Sequence, residues 1–313
     1  MTRRHLSAAG MGLLVSPWAG GAGRFTHPLG TQLYTVRNIL PTAAEPTLKS
    51  IAEIGYREVE TDHASLPRIA PILKDYGLKP VSCHFETPLI TGNWKIWKSL
   101  TNQGATWSQA IDDAKKFGVE YMVMPYIRPE ERGDLEYYKQ LADKMNAAGM
   151  QSRAAGLTFC YHNHCFEFRG ERGQRPIDVL LERWDRRAVA LELDVFWVSV
   201  GGNDPVEMLK QNAGRVPLVH LKDKAKGTPV LYEEGKVTPQ TFKEVGAGAL
   251  DFPAILRAAA AAGVKHYFVE QDQTPGDPVA SLRQSYEYLR NTPLGPIDNQ
   301  PHLKKAIPQG LPK

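Results

Sequence analysis

Cysteine is scarce: Cys83, Cys160 and Cys165 are the only three in 313 residues. They are odd in number and form no C-x-x-C pair, so neither a disulfide framework nor a paired-cysteine metal motif is encoded. Each reads as a small buried hydrophobe, although Cys160 and Cys165 flank a histidine-rich stretch and so bear on a metal site. An excess of one charge is also missing. The formal net charge is +4, but residues 1–24 contain Arg3, Arg4 and Arg24 and no acid; taking these three from the 38 basic residues leaves 35 against 34 acidic ones. With no basic patch interleaved with aromatics, there is no electrostatic case for nucleic acid. The mildly apolar run at 7–19 is shorter than the ~20 residues that span a bilayer. No G-x-G-x-x-G follows the first strand-like run, which argues against an open dinucleotide-binding sheet.

What is present begins with a leader. Arg3-Arg4 precede the weak apolar run, and the small residues Ala19-Gly20-Gly21-Ala22 follow it. This is the pattern of a twin-arginine export signal and predicts a periplasmic or secreted protein; a cytosolic leader is the alternative.

Beyond the leader, β-like and helical runs alternate. Strands are expected at 29–34, 58–61, 80–84, 121–124, 157–162, 189–194, 216–220 and 266–270. Helices are expected at 47–54, 66–76, 107–117, 135–155, 176–182, 205–212, 252–262 and 278–289, with glycine closing one helix after another. Eight β/α units over ~265 residues predict a single-domain (β/α)8 TIM barrel. The expected organisation is a signal at 1–24, the barrel at 25–292 and a proline-rich extension at 293–313.

Polar residues gather where such a barrel does its chemistry, at the carboxyl ends of the strands. Strand five ends in Tyr161-His162-Asn163-His164, strand six in Glu192-Leu193-Asp194, strand seven in His220-Leu221-Lys222-Asp223 and strand eight in Glu270-Gln271-Asp272. Strand side chains alternate, so His162 and His164, Glu192 and Asp194, and His220 and Lys222 share faces in pairs. A barrel interior is normally aliphatic, and four adjacent strands turning polar together would cost several kcal/mol per unpaired ion. A divalent metal resolves that cost. Glu192 is the ambiguous member, either a ligand or half of a core ion pair with Lys or Arg. Glu60 and His84, at the ends of strands two and three, are expected to contact substrate. Trp197 is either core or a stacking platform for a sugar ring.

Taken in order, several runs resemble one family. They are Gly30-Thr31-Gln32-Leu33-Tyr34-Thr35-Val36-Arg37, Ile54-Gly55-Tyr56-Arg57-Glu58-Val59-Glu60, Tyr161-His162-Asn163-His164 with Glu167-Phe168, Leu193-Asp194-Val195-Phe196-Trp197, His220-Leu221-Lys222-Asp223 and Val245-Gly246-Ala247-Gly248. Together they resemble the sugar phosphate isomerase/epimerase family of the xylose isomerase-like barrels. The resemblance implies one divalent ion (Mn, Mg, Co or Zn) held by two glutamates, an aspartate and a histidine. Asp194, His220 and Glu270 match three of these ligands. His162 stands where many members carry the fourth, a glutamate, so either His162 or Glu167 completes the set; Glu167 is favoured because it keeps the carboxylate count.

A metal that polarises a carbonyl acidifies the neighbouring C–H, and His162 or His164 would take the proton while Lys222 steadies the enediolate. Reprotonation elsewhere isomerises or epimerises the sugar, and loss of a neighbouring group makes the enzyme a lyase. Export favours unphosphorylated sugars, keto-sugars or glycosides. The expected partner is a small carbohydrate, with no nucleic acid and no membrane; a homodimer is compatible with the sequence. A metal-dependent hydrolase on the same barrel and a non-catalytic periplasmic sugar-binding protein are the competing readings.

Overall fold

The computed structural model describes residues 23–97 and 103–294. Nearly all of the leader, and the extension beyond Leu294, therefore lie outside the described residues.

Eight parallel strands close into a barrel. They are β1 (Leu29–Gln32), β2 (Glu58–Asp62), β3 (Lys79–His84), β4 (Tyr121–Met124), β5 (Thr158–His162), β6 (Val189–Asp194), β7 (Leu218–Leu221) and β8 (His266–Val269). Each pairs with its sequence neighbour, and β8 returns to β1 with Tyr267 opposite Leu29. The helices are α1 (Ala44–Ile54), α2 (Leu66–Asp75), α3 (Trp107–Phe117), α4 (Leu135–Ala154), α5 (Pro176–Arg183), α6 (Pro205–Gln211), α7 (Phe252–Ala262) and α8 (Pro278–Asn291). The expected (β/α)8 barrel is thus the observed fold.

Local chemistry sets the boundaries. Thr106 and Gln109 form a reciprocal capping box that starts α3, and Gly118 ends it at φ +73°, a left-handed conformation that suits glycine. The first strand is shorter than expected. The Gln32 side chain accepts a bond from the Tyr34 amide and turns the chain into a 3-10 helix, Leu33–Val36. A further short helix, Val195–Val200, follows β6 directly because the Asp194 carboxylate caps it through the Trp197 amide.

Strand alternation divides the apolar residues in two. Outward residues such as Val59, Met122, Phe159, Leu191, Val219 and Tyr267 join the helices in the main core. Val81, Tyr121, Val123, Cys160, Leu218 and Phe268 form a separate cluster within the barrel. Phe268 fills the space beside Gly30, where a Cβ would come within 2.5 Å of its ring. Below this floor, at the amino ends of the strands, His266 Nδ1 lies 2.9 Å from Glu58 Oε2. At the same end Gly23–Arg24 pairs antiparallel with Pro293–Leu294, and Phe25 packs edge-on against Tyr267 at 4.9 Å. All three cysteines are buried free thiols, as small hydrophobes would be. No described helix is long and apolar enough to cross a membrane.

Candidate metal centre

Above the apolar floor the barrel interior turns polar, because the inward positions of β2, β3 and β5 to β8 carry carboxylates, imidazoles and one lysine. Two overlapping quartets result, each offering four ligand atoms within 4.8 Å of one another. The deeper is Glu60, His84, Glu192 and His220; the one nearer the mouth is His162, Asp194, His220 and Glu270.

His220 joins them. Its Nδ1 lies 2.8 Å from Glu270 Oε2 and its Nε2 lies 2.7 Å from Glu60 Oε1. Glu60 is fully committed: Oε1 also accepts from Gln32 Nε2 at 2.7 Å and faces His84 Nε2 at 2.8 Å, while Oε2 accepts from the Ser82 hydroxyl. Glu60, expected to contact substrate, has a side chain 0% exposed and is bonded to both His220 and His84. Glu192 pairs with histidines rather than with Lys or Arg. Its Oε2 lies 3.2 Å from His84 Nε2, and its Oε1 is buried without a partner.

Nearer the mouth, His162 Nδ1 lies 3.2 Å from the Pro125 carbonyl, and Nε2 lies 3.3 Å from Asp194 Oδ2. A carbonyl on one ring nitrogen fixes the tautomer that leaves the other free to ligate. Glu167 is placed elsewhere. It follows a turn into the 3-10 helix Phe166–Phe168, accepts from Tyr161 Oη at 2.6 Å, and takes the His164 amide on both oxygens. It is a buried brace for the loop after β5, and His162 holds the position in the quartet that had been assigned to Glu167.

Lys222 Nζ reaches three carboxylates: Asp194 at 3.0 Å, Glu270 at 2.7 Å and Asp272 at 2.8 Å. His164 meets His162 edge-on at 4.8 Å and lies tilted against Tyr126 (4.8 Å) and Trp197 (5.2 Å). Its Nδ1 and the Trp197 Nε1 are both buried without a protein partner. Trp197 itself is packed in a buried cluster with Phe196 and Phe242, and Lys222 Nζ lies over its ring, 5.7 Å from the centre. Beside the centre, the side chains of His84 and Asp272 are 17% and 18% exposed.

The ionisation pattern follows from this crowding. Burial alone would lower His84, but Glu60 and Glu192 outweigh it and lift the imidazole to about 10. Burial likewise opposes charge on His220 and Lys222, and the facing carboxylates overcome it in both. Burial would raise Glu60, Asp194 and Glu270; His84 and His220 hold Glu60 down, and Lys222 with the histidines holds down the other two. Burial, with Glu270 and Asp194 nearby, raises Asp272. Burial pushes His164 well down, with His162 and Lys222 adding to it, and lifts Glu167 to about 8 against its three donors.

These residues fit a divalent cation. Asp194, Glu270 and Asp272 converge on one permanent cation, Lys222, while Glu60 and Glu192 face His84 and His220. The carboxylate charge that Lys222 does not reach faces His84 and His220, and a bound metal would offset it. The donor set of carboxylate oxygens and imidazole nitrogens suits Zn, Mn or Co.

Asp223, next to Lys222, faces away from the site. Its Oδ2 accepts from the amides of Gly246 (3.0 Å) and Gly248 (2.9 Å), and its Oδ1 from those of Lys224 (2.8 Å), Ala249 (3.0 Å) and Leu250 (3.1 Å). It pins the long excursion after β7 back to the barrel. Gln32 and Ser82 had not been picked out as site residues; both are polar at barrel positions where aliphatic residues are usual, which is the signal that marks them.

Residues 48–292 match the family described as the xylose isomerase-like TIM barrel. The chain belongs to that family. The inosose dehydratase of Geobacillus thermodenitrificans (strain NG80-2) is 30% identical over 172 residues, 52% of this chain and 55% of that protein. The chain thus spans about half the length of this relative. A sugar phosphate isomerase/epimerase of Parabacteroides distasonis ATCC 8503 shares the barrel, with a TM-score of 0.70 at 24% identity over 86% of this chain and 99% of that one. The IOLI protein, whose crystal structure holds a zinc atom, superimposes with a TM-score of 0.62 at 17% identity over 83% of this chain and 95% of that one.

Proposed function

We propose that this family member is a divalent-metal enzyme that enolises a sugar or keto-sugar, and that it completes the reaction as a β-eliminating lyase or as an isomerase/epimerase. The observation that carries this is the buried quartet His162, Asp194, His220 and Glu270 at the barrel mouth, with Lys222 against two of its carboxylates. Those four residues would hold the ion, which when bound supplies Lewis-acid polarisation of the substrate carbonyl.

The chain's own groups do the rest. His164 Nδ1, buried and unpartnered, takes the proton from the carbon beside the carbonyl. The Lys222 ammonium stabilises the negative charge left on the enediolate oxygen. Trp197 Nε1, also unpartnered, donates to a substrate hydroxyl. In elimination the C–H electron pair forms the new double bond, the β C–O bond breaks, and the hydroxyl leaves as water with the proton that His164 took. In isomerisation His164 returns the proton to the neighbouring carbon. The likeness to inosose dehydratase supports the elimination branch.

The test is proton exchange. Metal-loaded protein in D2O should place deuterium on the carbon beside the carbonyl of a keto-substrate, and chelation should stop it. No exchange and no turnover across ketoses, inososes and 3-keto-glycosides, with about one metal per chain bound, would sink the proposal. We further infer from Arg3-Arg4 and the small residues at 19–22 that the protein is exported; a cytosolic product with its leader intact in the native host would refute that.

A further inference from the structure

A groove of about 110 Å3 opens beside the metal centre, above the carboxyl ends of β1 to β3, with Gln32 and His84 in its wall. Arg37 and Arg68 line the same groove. Each guanidinium makes one hydrogen bond, to a main-chain carbonyl: Arg37 to Tyr34 at 2.9 Å and Arg68 to Leu40 at 3.3 Å. Neither has a carboxylate oxygen within 4.0 Å among the described residues, whereas Arg132, Arg175 and Arg183 each do. A guanidinium carries five N–H donors in a rigid fork, so most of this donor capacity is unspent. In Asp62, the acid that lines the groove, Oδ1 accepts from the Ser65 amide. Tyr34, 51% exposed, holds the Arg37 guanidinium 4.0 Å from its ring centre, which fixes the fork before any ligand arrives.

We propose that this groove is an anion subsite. It takes a carboxylate or phosphate that the substrate carries at a position remote from its reacting carbons. The groove has room for such a group beside the two guanidinium forks. The placement has a further reason. The centre beyond His84 is crowded with carboxylates that repel an anion, and two arginines at its rim give a charged substrate one orientation, with the anionic end outward. Bidentate guanidinium contacts make that choice geometric as well as electrostatic. The inference rests on the proposed function only in assuming that the reacting carbons sit at the metal centre.

Calorimetric titration of metal-loaded protein with three probes built on one ring tests it: glucose, glucuronate and glucose 6-phosphate. At least one charged probe should bind about tenfold or more tightly than glucose, the size of one charge-assisted hydrogen bond at a partly exposed site. The stronger of the two identifies carboxylate or phosphate as the group read. Added salt should erode the preference, and the double variant R37Q/R68Q should abolish it at unchanged metal content. Equal binding of all three, no binding of any, or a preference that survives in R37Q/R68Q overturns the subsite. Metal content and D2O exchange are read on the same preparations, so loss of the subsite with exchange intact leaves the proposed function standing. A charge preference without metal or exchange does the reverse.

Discussion

Replacing Asp223 with asparagine isolates the tie between β7 and the chain segment that closes over it. One oxygen can survive the change and keep its acceptor role. The other becomes an NH2 donor aimed at amide hydrogens that it used to accept. If Oδ2 is the atom lost, the Gly246 and Gly248 amides lose their partner. Two charge-assisted bonds at about 1.5–3 kcal/mol each put the cost at roughly 3–6 kcal/mol. Burial holds the Asp223 carboxyl above its ordinary value despite five amide donors, so desolvation already offsets part of the gain and the low end of the range, about 3 kcal/mol, is expected. Urea unfolding followed by circular dichroism measures the loss. Hydrogen exchange should show protection falling first at 242–250. Gly248→Ala should act in the same direction by a different route, because a Cβ there would overlap the Asp223 carboxylate and the Lys224 carbonyl. A loss below about 1 kcal/mol for Asp223→Asn would refute the reasoning, since it would mean that the amides find water as readily as they found the carboxylate.

Three further predictions concern the centre and its surroundings. His162→Ala should strip the metal from the purified protein, whereas Glu167→Gln should keep it and lower stability instead; mass-spectrometric metal analysis with a melting curve separates the two, and the opposite pattern would return Glu167 to the ligand set. Glu60→Gln removes the carboxylate that steers His220 and should weaken metal binding about 10–100-fold in a chelator competition; unchanged affinity would show that His220 needs no such partner. Stability should also respond to pH through His63, whose Nδ1 lies 3.0 Å from Glu86 and whose Nε2 lies 3.0 Å from Asp113. Burial lowers this histidine, but the two carboxylates raise it above 6.5 on balance. The stability it adds is therefore full below pH 6.5 and is lost as pH climbs through the raised value; His63→Gln should flatten that slope, and an unaltered slope would rule the pair out as its source.

The barrel was legible in the sequence because each β/α unit carries its own punctuation, as the Thr106 cap and the Gly118 stop of α3 show. The polar strand ends were legible for a similar reason: alternation ties Glu192 to Asp194 and His220 to Lys222 whatever the loops do. Direction within a loop is another matter. Glu167 lies five residues beyond His162, and only the turn at Cys165 and the Tyr161 hydroxyl decide that it points back into the wall. The surroundings of Glu60 are equally non-local: Gln32, Ser82, His84 and His220 reach it from three other strands. Asp223 and the Val245-Gly246-Ala247-Gly248 run were both visible as motifs, but nothing local in either says that one is the acceptor for the other's amides.

The short ladder between Gly23–Arg24 and Pro293–Leu294 has a practical consequence. It gathers both ends of the described chain at the amino ends of the strands, the face of the barrel away from the metal centre. A tag, surface linker or fused domain joined directly at Gly23 or Leu294 therefore leaves the substrate entrance clear. Because the two ends already lie side by side, a brief peptide joining them, with new ends cut in an exposed loop, would give a circularly permuted protein that keeps every strand of the barrel in register.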